Sequence, residues 1–161
     1  MLVTVARLAV DRTTNTPVVF LREAVGDRGV AIWIGAAEAA AIALSLQGEQ
    51  APRPLTADLL VGVLAATDAQ LRRVAILGVR AGTYYAELEI TSGDGHVQHV
   101  DARPSDAIAV ALRCGAEIVA SAALLTEEGG TAPAPPEPLS ADDLRAYLKQ
   151  LGPEDFGRFV P

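Results

Sequence analysis

Cysteine, histidine, lysine and aromatic residues are all scarce in this chain of 161 residues. It has one Cys, two His and one Trp, and aromatics make up 4%. A single cysteine, Cys114, excludes an intrachain disulfide framework and any cysteine-cluster metal centre. It falls within an apolar helix pattern, where the expectation is a buried packing residue and not a nucleophile. His96 and His99 sit three apart in a predicted strand, on opposite faces by the period-two alternation, so a shared two-histidine metal site is not expected. With so few aromatics the core must be built from Ala, Val, Leu and Ile. Trp33 reads as a core or interface residue, because a lone Trp makes a poor platform for stacking bases.

Long apolar runs are also missing. No stretch reaches the roughly 18 residues of a membrane span. The opening residues MLVTVARLAVDR lack a basic region followed by an apolar stretch and a cleavage site, and read as a strand. A cytoplasmic protein without membrane attachment is the expectation. Half the residues are hydrophobic and the net charge is −7. Residues 1–120 are near charge balance, and residues 121–161 carry over half the acidic excess. Overall acidity disfavours tight non-specific nucleic-acid binding, which is largely phosphate neutralisation. Nearly all basic residues are Arg, whose planar fork pairs with either phosphate or carboxylate.

What remains is a pattern of short strands and alanine-rich helices. Strands are predicted at 2–10, 17–23 and 30–34, the last two joined as a hairpin through the GDRG turn. The alanine-rich stretch after Gly35 favours a helix ending at Gly48. Thr56 is placed to cap a second helix whose apolar positions Leu59, Leu60, Val63 and Leu64 follow the amphipathic rule. A meander follows, with strands at 72–79, 84–91 and 96–102. Tyr84 and Tyr85 point to opposite faces, so at most one lies in the core. A third helix starts at Pro104, and EIVAS at 117–121 is a short strand. Residues 126–138 are a linker by their Pro and Gly content. Residues 139–161 hold one amphipathic helix, capped by Ser140, with an apolar stripe of Leu144, Tyr147, Leu148 and Leu151. The division is thus a domain over 1–125, the linker, and a helical tail.

Polar residues gather at the helix starts. In VDARPSDAIAVALR (100–113), Asp101, Arg103, Ser105 and Asp106 surround Pro104, which suits a first helical turn. In Arg53-Pro-Leu-Thr-Ala-Asp58, an arginine, a proline, the Thr56 hydroxyl and a carboxylate recur. EAAAIAL (38–44) echoes DAIAVAL (106–112), each opening a helix with a carboxylate, which suggests two related strand–helix units. If these starts meet, Glu38, Asp58, Asp101 and Asp106 form a carboxylate pocket with Arg53 and Arg103 beside it. Two or three converging carboxylates are what metal-assisted phosphodiester cleavage needs, and Asp101 with Asp106 is the candidate metal pair. Guanidinium forks at Arg53 and Arg103, with Thr56 and Ser105, are candidate substrate contacts. The alternative is ordinary capping by Ser105 and Asp106, with the arginines paired to the carboxylates to fix the turns.

Taken together, PVVFLRE (17–23), IWIGAAEAAAIALSLQG (32–48), PRPLTADL (52–59) and VDARPSDAIAVALR (100–113) resemble the bifunctional nuclease domain family in order and spacing over about residues 1–125. The resemblance implies an α+β fold with a mixed, strongly curved sheet packed with helices, and a homodimer or higher homo-oligomer. It also implies hydrolysis of DNA and RNA, which in a chain whose candidate site residues are carboxylates would rely on Mg²⁺ or Mn²⁺ held through oxygen ligands. One departure matters. The family pattern reads RPLTHDL, and here Ala57 stands where it has histidine, the side chain suited to proton transfer near neutral pH. A non-catalytic regulatory or protein-interaction module on the same fold is therefore the alternative expectation.

Overall fold

A computed structural model describes residues 1–127, and Ala146 singly beyond them. The predicted linker and tail therefore lie almost wholly outside the described residues. Three antiparallel strands come first: β1 (Leu2–Asp11), β2 (Thr16–Glu23) and β3 (Gly29–Trp33). Helices α1 (Ala36–Gln47) and α2 (Thr56–Ala66) follow. A second antiparallel trio, β4 (Gln70–Arg80), β5 (Thr83–Thr91) and β6 (Val97–Ala102), leads into α3 (Pro104–Cys114). The last strand, β7 (Glu117–Ala120), precedes a short 3-10 turn at Ala122–Leu124.

All seven strands form one mixed sheet in the order β3-β2-β1-β7-β4-β5-β6. Each half is a three-strand meander followed by a helix, β1-β2-β3-α1 and β4-β5-β6-α3, in keeping with the sequence echo between α1 and α3. Strand β7 joins the halves. It runs antiparallel to β1 (Val3 opposite Ile118) and parallel to β4 (Val74 opposite Ile118).

The helices share a core with one face of the sheet. Val19, Leu21, Val74, Ile76, Ala86 and Leu88 from the strands meet Ala39, Ile42, Ala107 and Ile108 from α1 and α3. Small side chains on both helices allow close approach, and α1 and α3 pack on each other as well as on the sheet. Gly48 and Gly115 end these helices in the left-handed conformation (φ 66° and 64°), which costs glycine nothing. Tyr84 packs partly against this core, and Tyr85 turns outward under Arg80.

Several local expectations are corrected. Ser105 is not the cap of α3: Arg103 holds that position, and Ser105 is buried in the first turn. Thr56 is the first helical residue of α2, and Leu55 is the cap. Its N–H donates to Asp58 Oδ2 at 2.8 Å, so a carboxylate one turn along does the satisfying. Leu59 and Val63 do not face the core; of α2 only Leu64 is buried, with Ala57 and Leu60 partly so. Cys114 is exposed, because it lies past the buried run Ala107–Ala111 at the end of α3. Of the two readings of Trp33, core or interface, the core one is removed: it is 54% exposed on strand β3, its indole N–H donating to Asp11.

Candidate functional site

Packing of α1 against α3 brings their N-termini together, and with them three of the predicted residues. Arg103 turns its guanidinium onto Asp106 in bidentate fashion, Nε to Oδ2 at 2.7 Å and Nη2 to Oδ1 at 3.0 Å. The same Nη2 lies 2.9 Å from Glu38 Oε1. One arginine thus ties the first turn of α3 to the first turn of α1. Both carboxylates sit where a helix N-terminus favours negative charge. The two acids hold the guanidinium more firmly protonated than usual, the Asp106 hydrogen bond contributing most and Glu38 less. Glu38 also folds back over Gly35, where a Cβ would collide with its Oε2. A side chain there would make the flexible end of Glu38 shift.

Asp58 belongs to a different cluster. Its Oδ1 accepts from Arg113 Nε at 2.5 Å, while its Oδ2 takes the Leu55 N–H. Arg113 also donates Nη1 to the carbonyls of Ala41 (3.2 Å) and Ala109 (2.8 Å). This guanidinium ties α2 to α1 and α3, and its side chain is only 11% exposed. The Arg113 hydrogen bond holds the Asp58 carboxyl below its ordinary value, with a smaller contribution from the Leu55 N–H. The pair lines an open cleft of about 500 Å³, whose apolar walls include Leu44, Leu55, Val61 and Leu112.

Asp101 joins neither cluster. In the β5–β6 register Ala102 lies opposite Ala86, which is fully buried on the helix-bearing face, and Asp101 lies opposite Glu87. Alternation along β6 therefore puts Asp101 on the outer face of the sheet. Its surroundings there are the Glu87–His99 contact (3.0 Å) and the Arg73–Glu89 ion pair (2.7 Å). The candidate pair Asp101 and Asp106 is split between the two sides of the sheet. Arg53 is exposed in the α1–α2 connection and makes no ion pair among the described residues. Thr56 is exposed, and Ser105 is buried without a side-chain capping bond.

Nor does the donor set suit a divalent cation as it stands. Magnesium or manganese would take carboxylate oxygens in an open shell. Both oxygens of Asp106 and one of Glu38 are engaged by Arg103, both oxygens of Asp58 are engaged by Arg113 and Leu55, and Asp101 is remote. Among the described residues no group of three His, Cys, Asp or Glu side chains is placed to hold a metal ion. Ala57 packs half-buried against the core and supplies no proton-transfer group.

Arg113 is the site residue that reading the sequence missed. Its signal was present: a basic residue in the last turn of α3, where carbonyls are left without helical partners. Cys114, next to it, is no activated nucleophile, since partial desolvation raises its thiol above the ordinary value.

This arrangement of meanders, helices and paired clusters is that of an α+β domain with its polar groups collected at helix starts. The model of the bifunctional nuclease domain family matches residues 19–133, and the chain belongs to that family. Two proteins of Mycobacterium tuberculosis, from strains CDC 1551 / Oshkosh and ATCC 25618 / H37Rv, are each 41% identical to it over 162 residues, covering 96% of each chain. Both carry the description "Uncharacterized protein". No helix among the described residues is long and apolar enough to cross a membrane.

Proposed function

We propose that this chain serves as a non-catalytic binding module on the bifunctional nuclease fold. The observation that carries this reading is the pairing of its carboxylates. Glu38 and Asp106 share Arg103, Asp58 is held by Arg113, and Asp101 faces away. Hydrolysis of a phosphodiester needs a general base or a metal-activated water. Ala57 removes the family's histidine, and each arginine occupies oxygens that a cation would need. In this reading the two arginines are struts: each locks two or three helices in one geometry. The surface so fixed is the functional element.

A second reading, metal-dependent hydrolysis of DNA and RNA, is favoured by the family's own description and by the meeting of Glu38 and Asp106 at one guanidinium. It requires Arg103 to swing off both acids when nucleic acid and Mg²⁺ or Mn²⁺ arrive. Incubating the full chain with single- and double-stranded DNA and RNA, with either metal or with EDTA, separates the two. The binding-module reading expects no cleavage above that of the Glu38→Ala/Asp106→Ala variant. Metal-dependent cleavage that this double substitution abolishes establishes the hydrolase instead.

A further inference from the structure

Strand β6 ends the sheet, with β5 on one side and, among the described residues, no strand on the other. Every residue from Val97 to Asp101 is exposed. The opposite edge, β3, is covered at Gly29 by reciprocal backbone hydrogen bonds with Thr126, at 2.9 and 3.0 Å. Strand β6 has no such cover among the described residues. It also lacks the usual guards of an edge: no proline, no lysine, no bulge against β5. Gln98, Val100 and Ala102 put no charge on its helix-bearing face.

The hairpin fixes which backbone groups are free. The Ser92 N–H donates to the His96 carbonyl at 2.9 Å. Hydrogen-bonded pairs of the β5–β6 ladder then recur at every second position: Ile90 with Gln98, Leu88 with Val100, Ala86 with Ala102. The N–H and C=O groups of Val97, His99 and Asp101 therefore point away from β5, into the open edge. Two copies meeting antiparallel through this edge can bond only where these residues face one another. Two registers keep most of each strand paired. One sets His99 against His99. The other sets His99 against Asp101 twice, by two-fold symmetry, and Val100 against Val100.

We propose that β6 pairs antiparallel with β6 of a second copy of this chain in the second of these registers. Charge selects it. Within one chain Asp101 stands directly opposite Glu87, a destabilising like-charge pair, and makes no ion pair among the described residues. His99 of the second copy supplies its counterpart. The His99 Nδ1 already meets Glu87 at 3.0 Å, and its Nε2 makes no hydrogen bond among the described residues. The other charges nearby are neutralised or lie outside the paired stretch. Glu89 is held by Arg73, Arg103 by Asp106 and Glu38, and Asp94 and His96 sit in the turn before β6. On the helix-bearing face Val100, 42% exposed in one chain, meets its own copy in a non-hydrogen-bonded pair, where side chains stand closest. A strand pair of this length is small beside the roughly 1,200–2,000 Å² of a stable complex, so backbone hydrogen bonds carry the association and it depends on concentration. The pairing is independent of whether the helix-start acids take part in binding or in cleavage.

Sedimentation equilibrium of the full chain is expected to show monomer and dimer exchanging over roughly 1–500 μM. Asp101→Lys and His99→Glu, both at exposed positions, are each expected to weaken the dimer at least roughly tenfold. Mixing the two variants is expected to restore it, because His99 then meets Asp101 on one side of the two-fold and the introduced lysine meets the introduced glutamate on the other. With Cys114→Ser as background, mild oxidation is expected to link two chains through Val100→Cys and not through Gln98→Cys, since the two-fold sets only position 100 against itself. A chain that stays monomeric, a dimer that neither single variant weakens, weakened variants that do not recover on mixing, or equal linking at both cysteine positions overturns the proposal.

Discussion

Arg113 offers the sharpest stability test, because it is the most enclosed ion-pairing arginine among the described residues. Its Nε meets Asp58 and its Nη1 meets two carbonyls, with the side chain 11% exposed. Charge-assisted hydrogen bonds of this kind contribute about 1.5–3 kcal/mol, and the Asp58 end is 36% exposed, which lowers the electrostatic share. Arg113→Ala is therefore expected to cost about 2–3 kcal/mol, or roughly 4–12 °C in melting temperature for a chain of this length. Arg73, in an exposed pair with Glu89, is the control: Arg73→Ala should cost about 1 kcal/mol or less. Urea denaturation followed by circular dichroism measures both. The pH dependence has a definite sign. Arg113 lowers the Asp58 pKa in the folded state, so the pair's contribution is complete above the unfolded carboxyl value of about 3.9 and is lost as pH falls through the folded value. A double-mutant cycle of Arg113→Ala with Asp58→Ala should show its coupling at pH 7 and lose it progressively in acid. Equal costs for Arg113→Ala and Arg73→Ala, or a coupling that grows as pH falls, refute the strut role.

Other outcomes follow from the same geometry. Ile108→Ala empties a fully buried position between α3 and the sheet and should cost about 2–5 kcal/mol by chemical denaturation. Gly115→Ala meets no neighbouring atom but forces a left-handed backbone on a residue with a Cβ, and should cost about 1–2 kcal/mol by the same measurement. Arg103→Ala leaves Glu38 and Asp106 facing each other without their shared cation, so calorimetry should find tighter Mn²⁺ binding than in the parent chain.

Secondary structure was legible because its signals are local. The alternation in YYAELEIT, the alanine run after Gly35 and the Pro104–Gly115 bracket each depend on near neighbours. The place of EIVAS in the sheet was not legible: four residues carry no record of pairing with both β1 and β4, which lie far away in the chain. Glu38, Arg103 and Asp106 were readable as residues at helix starts, and the echo between α1 and α3 hinted that they meet. Asp101 shows the limit. Its proximity to Asp106 in sequence suggested a pair, but the strand's last residues alternate, and one step along β6 crosses from one side of the sheet to the other. Helix α2 misled for a different reason. Its composition is apolar all round, so periodicity does not say which side is buried, and Leu59 and Val63 share the amphipathic spacing of Leu60 and Leu64 while the fold turns them out. Cys114 failed similarly, since an apolar pattern continues one residue past the last turn that the sheet covers.

A binding module on this fold requires the helix-start carboxylates to be occupied by arginine and so closed to cations. Titrating Mn²⁺ into the full-length protein by isothermal calorimetry, beside Glu38→Gln/Asp106→Asn, tests this most directly. The expected result is no saturable binding that distinguishes the two proteins. Stoichiometric Mn²⁺ binding by the parent chain, lost in the double variant, would contradict it.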